Sequence, residues 1–248
     1  HDIKPWNSMP HLNQTTSQFH PRPELNCKVS VIQANIVNIK VDAIVNAANE
    51  RLLGGGGIDG VIHTAAGPEL KKKCEKFPIL NAYSQSRCHT GQCKVTDTKG
   101  CPKLNCDYVY HTVGPRVENK KLMDTYKRLL RDCYENCLAN VLTNDKVKSI
   151  VFPCISTGIF KFPNEEAADI ALSAVRTWLE TYHSQIEQIV FCTYEDGDFK
   201  IYQRLISKYF PTSDQPSVTT ESMKCKTDNL SIHSSTADII IATNSEIP

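Results

Sequence analysis

Five of the chain's eleven glycines fall within seven residues, Gly54-Gly55-Gly56-Gly57-Ile58-Asp59-Gly60, and this run constrains the fold more than any other feature. Glycine loses more conformational freedom on folding than any other residue, so it is placed where the backbone takes positive φ or meets a ligand with no Cβ in the way. The run follows an apolar segment ending in Asn46-Ala47-Ala48-Asn49 and precedes Ile58 to Ala66, which reads as a helix. A strand, a glycine turn and a helix N-terminus together expose successive backbone N–H groups. Such a place suits an anion such as pyrophosphate.

Two standard phosphate loops can be compared with this run. The nucleoside-triphosphate loop ends in Gly-Lys-Ser/Thr, and here Val61 follows Gly60, which excludes it. Gly55, Gly57 and Gly60 satisfy the dinucleotide pattern G-x-G-x-x-G, which keeps an NAD(P)-dependent oxidoreductase among the readings. The context fits that pattern poorly: Gly67-Pro68 interrupts the helix, and Lys71 to Phe77 stays helix-like where a second strand is required. A second turn lies in Phe152-Pro153-Cys154-Ile155-Ser156-Thr157-Gly158-Ile159-Phe160-Lys161-Phe162-Pro163, after another buried strand. Ligands of doubly covered sheets collect outside the carboxyl ends of the strands. Ser156, Thr157 and the Gly158 amide are then expected on one side of a diphosphate and Gly55 to Gly57 on the other. No G-x-S-x-G elbow surrounds either hydroxyl, so neither reads as a hydrolase nucleophile.

Short β-rich runs alternate with helical ones, the pattern of an α/β layer protein. Strands are expected at Val29–Gln33, Ala43–Asn46, Lys94–Thr96, Tyr108–Thr112, Ser149–Cys154 and Gln188–Tyr194, and helices at Asn164–Tyr182 and about Lys121–Leu142. Residues 1–26 carry four prolines without apolar period and read as a flexible segment; 27–211 reads as one domain; 212–248 reads as a Ser/Thr-rich disordered tail.

Lys+Arg 28 against Asp+Glu 27 argues against a generally basic coat, so no direct nucleic-acid binding is expected. No stretch approaches the ~20 apolar residues that cross a bilayer, and the first residues lack a secretory layout. An intracellular place, cytoplasm or nucleus, without membrane contact is the expectation. Eleven cysteines is an odd number in a chain this long, which favours free thiols. Cys88, Cys93, Cys101 and Cys106, with His89 nearby, lack the two-to-four-residue clip of structural zinc sites, so no metal is expected. Without heptads, a monomer is expected.

Val41-Asp42-Ala43-Ile44-Val45-Asn46-Ala47-Ala48-Asn49, Leu52-Leu53 with the glycine run, Ala65-Ala66-Gly67-Pro68, His111-Thr112-Val113-Gly114-Pro115, Ser156-Thr157-Gly158 and Tyr209-Phe210-Pro211 occur in that order. Together they resemble the macrodomain family, particularly its MacroD-type branch. The resemblance implies a three-layer α/β/α sandwich with a mixed central sheet and a cleft for ADP-ribose. It further implies a metal-independent hydrolase, without cofactor, that frees mono-ADP-ribose from Asp and Glu side chains of ADP-ribosylated proteins and deacetylates O-acetyl-ADP-ribose. By position, the resemblance puts Asn49 on the proximal ribose hydroxyls and Asp59 beside the reacting ribose, where it would position water. It places Asn46, Gly55, Gly56, Gly57, Ile58, Ser156, Thr157, Gly158, Ile159 and Phe160 along the ligand. Asn35, Ile36 and the aromatic Tyr194 would lie at adenine.

A carboxylate within ~3 Å of a water can orient and deprotonate it, contributing about 10²–10⁴-fold. Asp59 is the one acid in that loop, although substrate phosphate could take the proton instead. The chain departs from the family where Ala34-Asn35-Ile36 replaces Gly-Asp-Ile, so an amide oxygen, without charge assistance, would meet the adenine amino group. Thr64 stands where arginine is common, and Gln92 to Asp107 looks longer than usual. His63 and His111 read as structural rather than acid–base groups. A non-catalytic ADP-ribose reader is the alternative function.

Overall fold

The computed structural model describes residues 3–8 and 17–212. One sheet holds β1 (Val29–Gln33), β2 (Ala43–Ala48), β3 (Cys93–Asp97), β4 (Tyr108–Val113), β5 (Ser149–Phe152) and β6 (Gln188–Thr193). Among the described residues six α-helices accompany it: α1 (Pro23–Asn26), α2 (Ile58–Ala66), α3 (Pro68–Glu75), α4 (Met123–Leu142), α5 (Asn164–Tyr182) and α6 (Asp196–Tyr209). The strand order is β1-β6-β5-β2-β4-β3, parallel throughout except for β3 against β4.

Both faces of the sheet are covered. Ile62 and Ala66 of α2 and Leu70 of α3 pack on Ile44, Val109, Val151 and Val190. On the other face Leu130 and Leu138 of α4, Val175 and Leu179 of α5, and Tyr202 and Ile206 of α6 pack on Val31, Val45, Phe152 and Phe191. This is the expected three-layer sandwich, and it explains why β5 and β6 are buried at every position instead of alternating.

Local chemistry sets the element ends. In α5, Ala167, Ala171, Ala174, Val175, Trp178 and Leu179 recur at helical spacing and are buried, while Glu165 and Glu166 sit in the first turn where the helix dipole favours anions. Truncating Leu179 to alanine at this fully buried position would cost about 2–5 kcal/mol. The strand expected to reach Cys154 stops at Phe152, because Pro153 has no N–H for the ladder. The helix expected from Lys121 begins as α-helix at Met123, after a 3₁₀ turn over Lys120–Leu122.

The N-terminal segment read as flexible is tied down at its described positions. Ile3 and Trp6 are buried, and Ser30 Oγ donates to the Lys4 carbonyl at 2.8 Å. Ser17 Oγ donates to the Lys208 carbonyl at 2.6 Å, and the Phe19 and Tyr209 rings lie 5.7 Å apart. A few single apolar anchors hold this stretch, so it shows no period. Beyond Thr212, the tail expected to be disordered lies outside the described residues. The ten described cysteines are free thiols, and among the described residues no helix is long and apolar enough to cross a membrane.

Candidate active site

The parallel strands β1, β6, β5, β2 and β4 end at one rim, and a cavity of about 740 Å³ opens there. The glycine run leaves β2 and the Pro153–Phe162 segment leaves β5, its bonded neighbour, so the two turns stand side by side. They nearly touch: a Cβ added to Gly56 would come within 2.8 Å of Ile159 Cδ1. Glycine is required in the first turn for two separate reasons. Gly57 takes φ +61° as it starts α2, and a Cβ on Gly60 would lie 2.5 Å from the Gly55 carbonyl oxygen.

That folded-back turn carries Asp59 into the floor of the cavity, where the residue is only 2% exposed. Its Oδ1 accepts from Asn46 Nδ2 at 2.8 Å and its Oδ2 from Asn49 Nδ2 at 3.2 Å. Burial pushes the carboxyl pKa up; the Asn46 hydrogen bond and His63 act against that. His63 Nε2 lies 3.5 Å from Oδ1, but burial lowers the imidazole pKa, so the contact is with a neutral ring and is no ion pair. Behind it, Asn46 Nδ2 also meets His111 Nδ1 at 3.1 Å. With that nitrogen accepting, the His111 proton sits on Nε2, which meets Thr96 Oγ1 at 2.9 Å and Cys74 Sγ at 3.6 Å. Burial holds His111 neutral, down to about 3, and pushes the Cys74 thiol up to about 12. Asp59 is therefore held by neutral donors alone, and a carboxylate so placed is a stronger base than one in water.

The second turn is strained. Ser156 adopts φ +68°, a region that costs a non-glycine residue about 1–2 kcal/mol, and its buried Oγ has no hydrogen-bond partner. Thr157 Oγ1 donates to the Cys154 carbonyl at 3.2 Å, and the turn closes through Lys161 N to Gly158 O and Phe162 N to Ser156 O, each at 3.0 Å. Among the described hydrogen bonds, none uses the amides of Thr157, Gly158, Ile159 or Phe160. The residues that carry these four consecutive unspent donors all line the cavity.

The other expected site residues are mostly brought to this cavity. Asn35 and Ile36 line it after β1, with Asn35 Oδ1 accepting the Val37 amide at 3.3 Å and keeping one lone pair. Tyr194 stands on the rim after β6, 75% exposed. Asn46 and Gly55 stand beside the cavity rather than on its wall: Asn46 is fully buried behind Asp59, whereas Gly55 is exposed, and a Cβ on it would lie 2.8 Å from Asn49 Nδ2 and 3.1 Å from Asp59 Oδ2. The lining residues that the sequence reading missed include two charged ones: Arg116, whose guanidinium lies 4.4 Å above the Phe160 ring, and Asp198, which accepts from Asn164 Nδ2 at 2.6 Å. Arg116 could have been found, since it follows the His111–Pro115 motif at the end of a strand. Cys88, Cys93, Cys101 and Cys106 form no common cluster. Among the described residues the donor atoms that converge are those of His63, Cys74 and His111, within 4.8 Å of one another.

A doubly covered sheet with one cleft at the carboxyl rim, walled by amide-rich turns around a buried acid, defines an α/β domain built to hold an anionic ligand. Residues 45–171 match the Macro domain model, and the chain belongs to that family. It is 43% identical over 203 residues to the mouse (Mus musculus) ADP-ribose glycohydrolase MACROD2, covering 82% of this chain and 40% of that protein, so it spans about two fifths of this relative's length. It is 41% identical over 182 residues to the O-acetyl-ADP-ribose deacetylase of Cronobacter sakazakii, covering 73% of this chain and 95% of that one. The crystal structure of the Trypanosoma brucei macrodomain in complex with ADP-ribose superposes with a TM-score of 0.66 at 32% identity, covering 82% and 74% of the two chains.

Proposed function

We propose that this domain, residues 27–211 with the docked N-terminal segment, hydrolyses the ester between ADP-ribose and Asp or Glu side chains of proteins, and deacetylates O-acetyl-ADP-ribose. One observation carries the reading: a buried carboxylate, Asp59, held by two neutral amides at the base of a cavity of nucleotide size. The free amides of 157–160 and the start of α2 offer the donors a diphosphate needs; Asn49, whose Nδ2 is spent on the Gly54 carbonyl and Asp59 and whose Oδ1 accepts from the Arg51 amide, keeps one Oδ1 lone pair for a terminal ribose hydroxyl. Tyr194 supplies an exposed ring for adenine, and the remaining lone pair of Asn35 can accept from its amino group.

In the reaction, a water lodged against Asp59 gives it a proton while attacking the ester; Asp59 then returns that proton to the departing oxygen, so that a free carboxylic acid and ADP-ribose leave and the carboxylate is restored. All the side chains come from one chain, so a monomer suffices. The relatives named for both activities support this reading. The decisive experiment is release of ADP-ribose from an auto-modified ADP-ribosyltransferase, beside release of acetate from O-acetyl-ADP-ribose. Asp59→Asn is expected to lower both by about 10²–10⁴-fold. Undiminished release by that variant overturns the role of Asp59; calorimetric binding of ADP-ribose with no turnover by the wild type leaves a reader instead.

A further inference from the structure

A second cavity, of about 710 Å³, adjoins the first, and the two share Asn49, Gly114, Arg116 and Phe160. These residues form the border at which the two cavities meet. Asn49 reaches it from the turn after β2 with its amide on Asp59, and Arg116 reaches it from the segment after β4, stacked on Phe160. Gly114 lets that border pack tightly: a Cβ there would lie 2.0 Å from Ser156 Oγ and 2.7 Å from Ile155 Cγ2.

The proposed function, on which this inference rests, puts ADP-ribose in the first cavity and its ester beside Asp59 and Asn49. The acceptor half of that ester has to continue somewhere, and the second cavity begins at that point. Its wall carries three cations, Arg51, Lys71 and Arg116, none of which has a carboxylate partner among the described ion pairs. It also carries two acids, Glu50 and Glu118, and Glu50 accepts from Thr90 Oγ1 at 3.3 Å. The cations outnumber the acids, so the wall is electropositive, while Leu53 and Leu129 offer apolar contact. We infer that this second cavity is an acceptor subsite for the polypeptide around the modified carboxyl group, and that it favours acidic flanking residues.

Two substrates separate this subsite from the chemistry. O-acetyl-ADP-ribose carries only an acetyl group to that border, whereas a synthetic peptide bearing one ADP-ribosylated Glu among Asp and Glu residues would extend into the second cavity. Arg51 and Lys71 are exposed, so the double variant R51E/K71E is expected to fold. The ratio of kcat/KM for peptide to kcat/KM for O-acetyl-ADP-ribose should fall about tenfold in it, through the peptide's KM, because paired exposed charges each act weakly and add. A peptide with Lys flanks should reverse the order, poor with wild type and recovered with the variant. Raising salt should lift the acidic peptide's KM in the wild type alone. An unchanged ratio, or equal preference for both flanks, overturns the subsite while leaving the hydrolase intact. Wild type that turns over neither substrate overturns the proposed function itself, and the subsite with it.

Discussion

Asp59 and Arg176 are both charged and both almost wholly buried, 2% and 1% exposed, yet their surroundings are opposites. Arg176 is held by a carboxylate and two backbone carbonyls. It donates to Glu180 at 2.7 Å, to the Tyr209 carbonyl and to the His20 carbonyl at 3.1 Å, and the ring of Phe19 lies 4.7 Å from its centre. Asp59 receives two amide hydrogens and no cation, and its remaining side opens on a cavity. A buried charge with every partner supplied is architecture, whereas one held by neutral donors keeps part of its interaction energy for whatever enters.

Breaking each one should separate activity from stability. Asp59→Asn keeps the shape and removes the charge. It should cost about 10²–10⁴-fold in turnover while thermal unfolding stays put or moves upward, because an unfavourably buried carboxylate is gone. Arg176→Met should do the reverse: about 2–3 kcal/mol of stability, roughly 5–10 °C in Tm, with turnover per folded molecule preserved. An Arg176→Met variant that loses activity without losing stability would dissolve the contrast.

Titration sharpens it. Unfolded histidine titrates near 6.5 and His111 in the fold near 3, so between those values the unfolded chain binds more protons. That stability is full above about 6.5 and is lost as pH falls. Asp59 acts with the opposite sign: its folded pKa lies above the ordinary 3.8, so its contribution falls as pH rises through the interval between them. Denaturant midpoints against pH should therefore show an acid-side loss that His111→Gln flattens and Asp59→Asn deepens. Since catalysis needs the carboxylate, kcat/KM should rise with pH through an inflection above the usual aspartate range. The smallest effect is expected at Tyr194→Ala, where losing a stacking face weakens ADP-ribose binding by about 1 kcal/mol, roughly fivefold by calorimetry.

Much of the frame was legible in the chain because it rests on period. The stripe of α5 and the unbroken apolar runs of β5 and β6 announce themselves, and the two glycine turns follow from asking what lies after each strand. Helix α6 was not seen. Its buried Phe199, Tyr202, Leu205, Ile206 and Tyr209 do recur at helical spacing, but Asp196-Gly197-Asp198 at its start reads as a turn. The support of Asp59 was hidden for another reason. Asn46 lies inside an apolar strand, and His63 and His111 belong to a helix and a strand far apart in the chain; only the folded sheet sets them behind one carboxylate. The anchors Ile3, Trp6 and Phe19 are single residues, which no periodicity can flag.

The meeting of residues 20–26 with 209–211 has a further consequence. Asn26 Nδ2 donates to the Pro211 carbonyl at 2.8 Å, and Arg176 grips the backbone at His20 and Tyr209. Because α1 leads straight into the start of β1, this junction lies at the amino edge of the sheet, across the molecule from the cleft. Segments 20–26 and 209–211 share one socket there, so the chain that leaves Pro211 sets out from the back of the domain, as from a handle, and away from the mouth of the cleft.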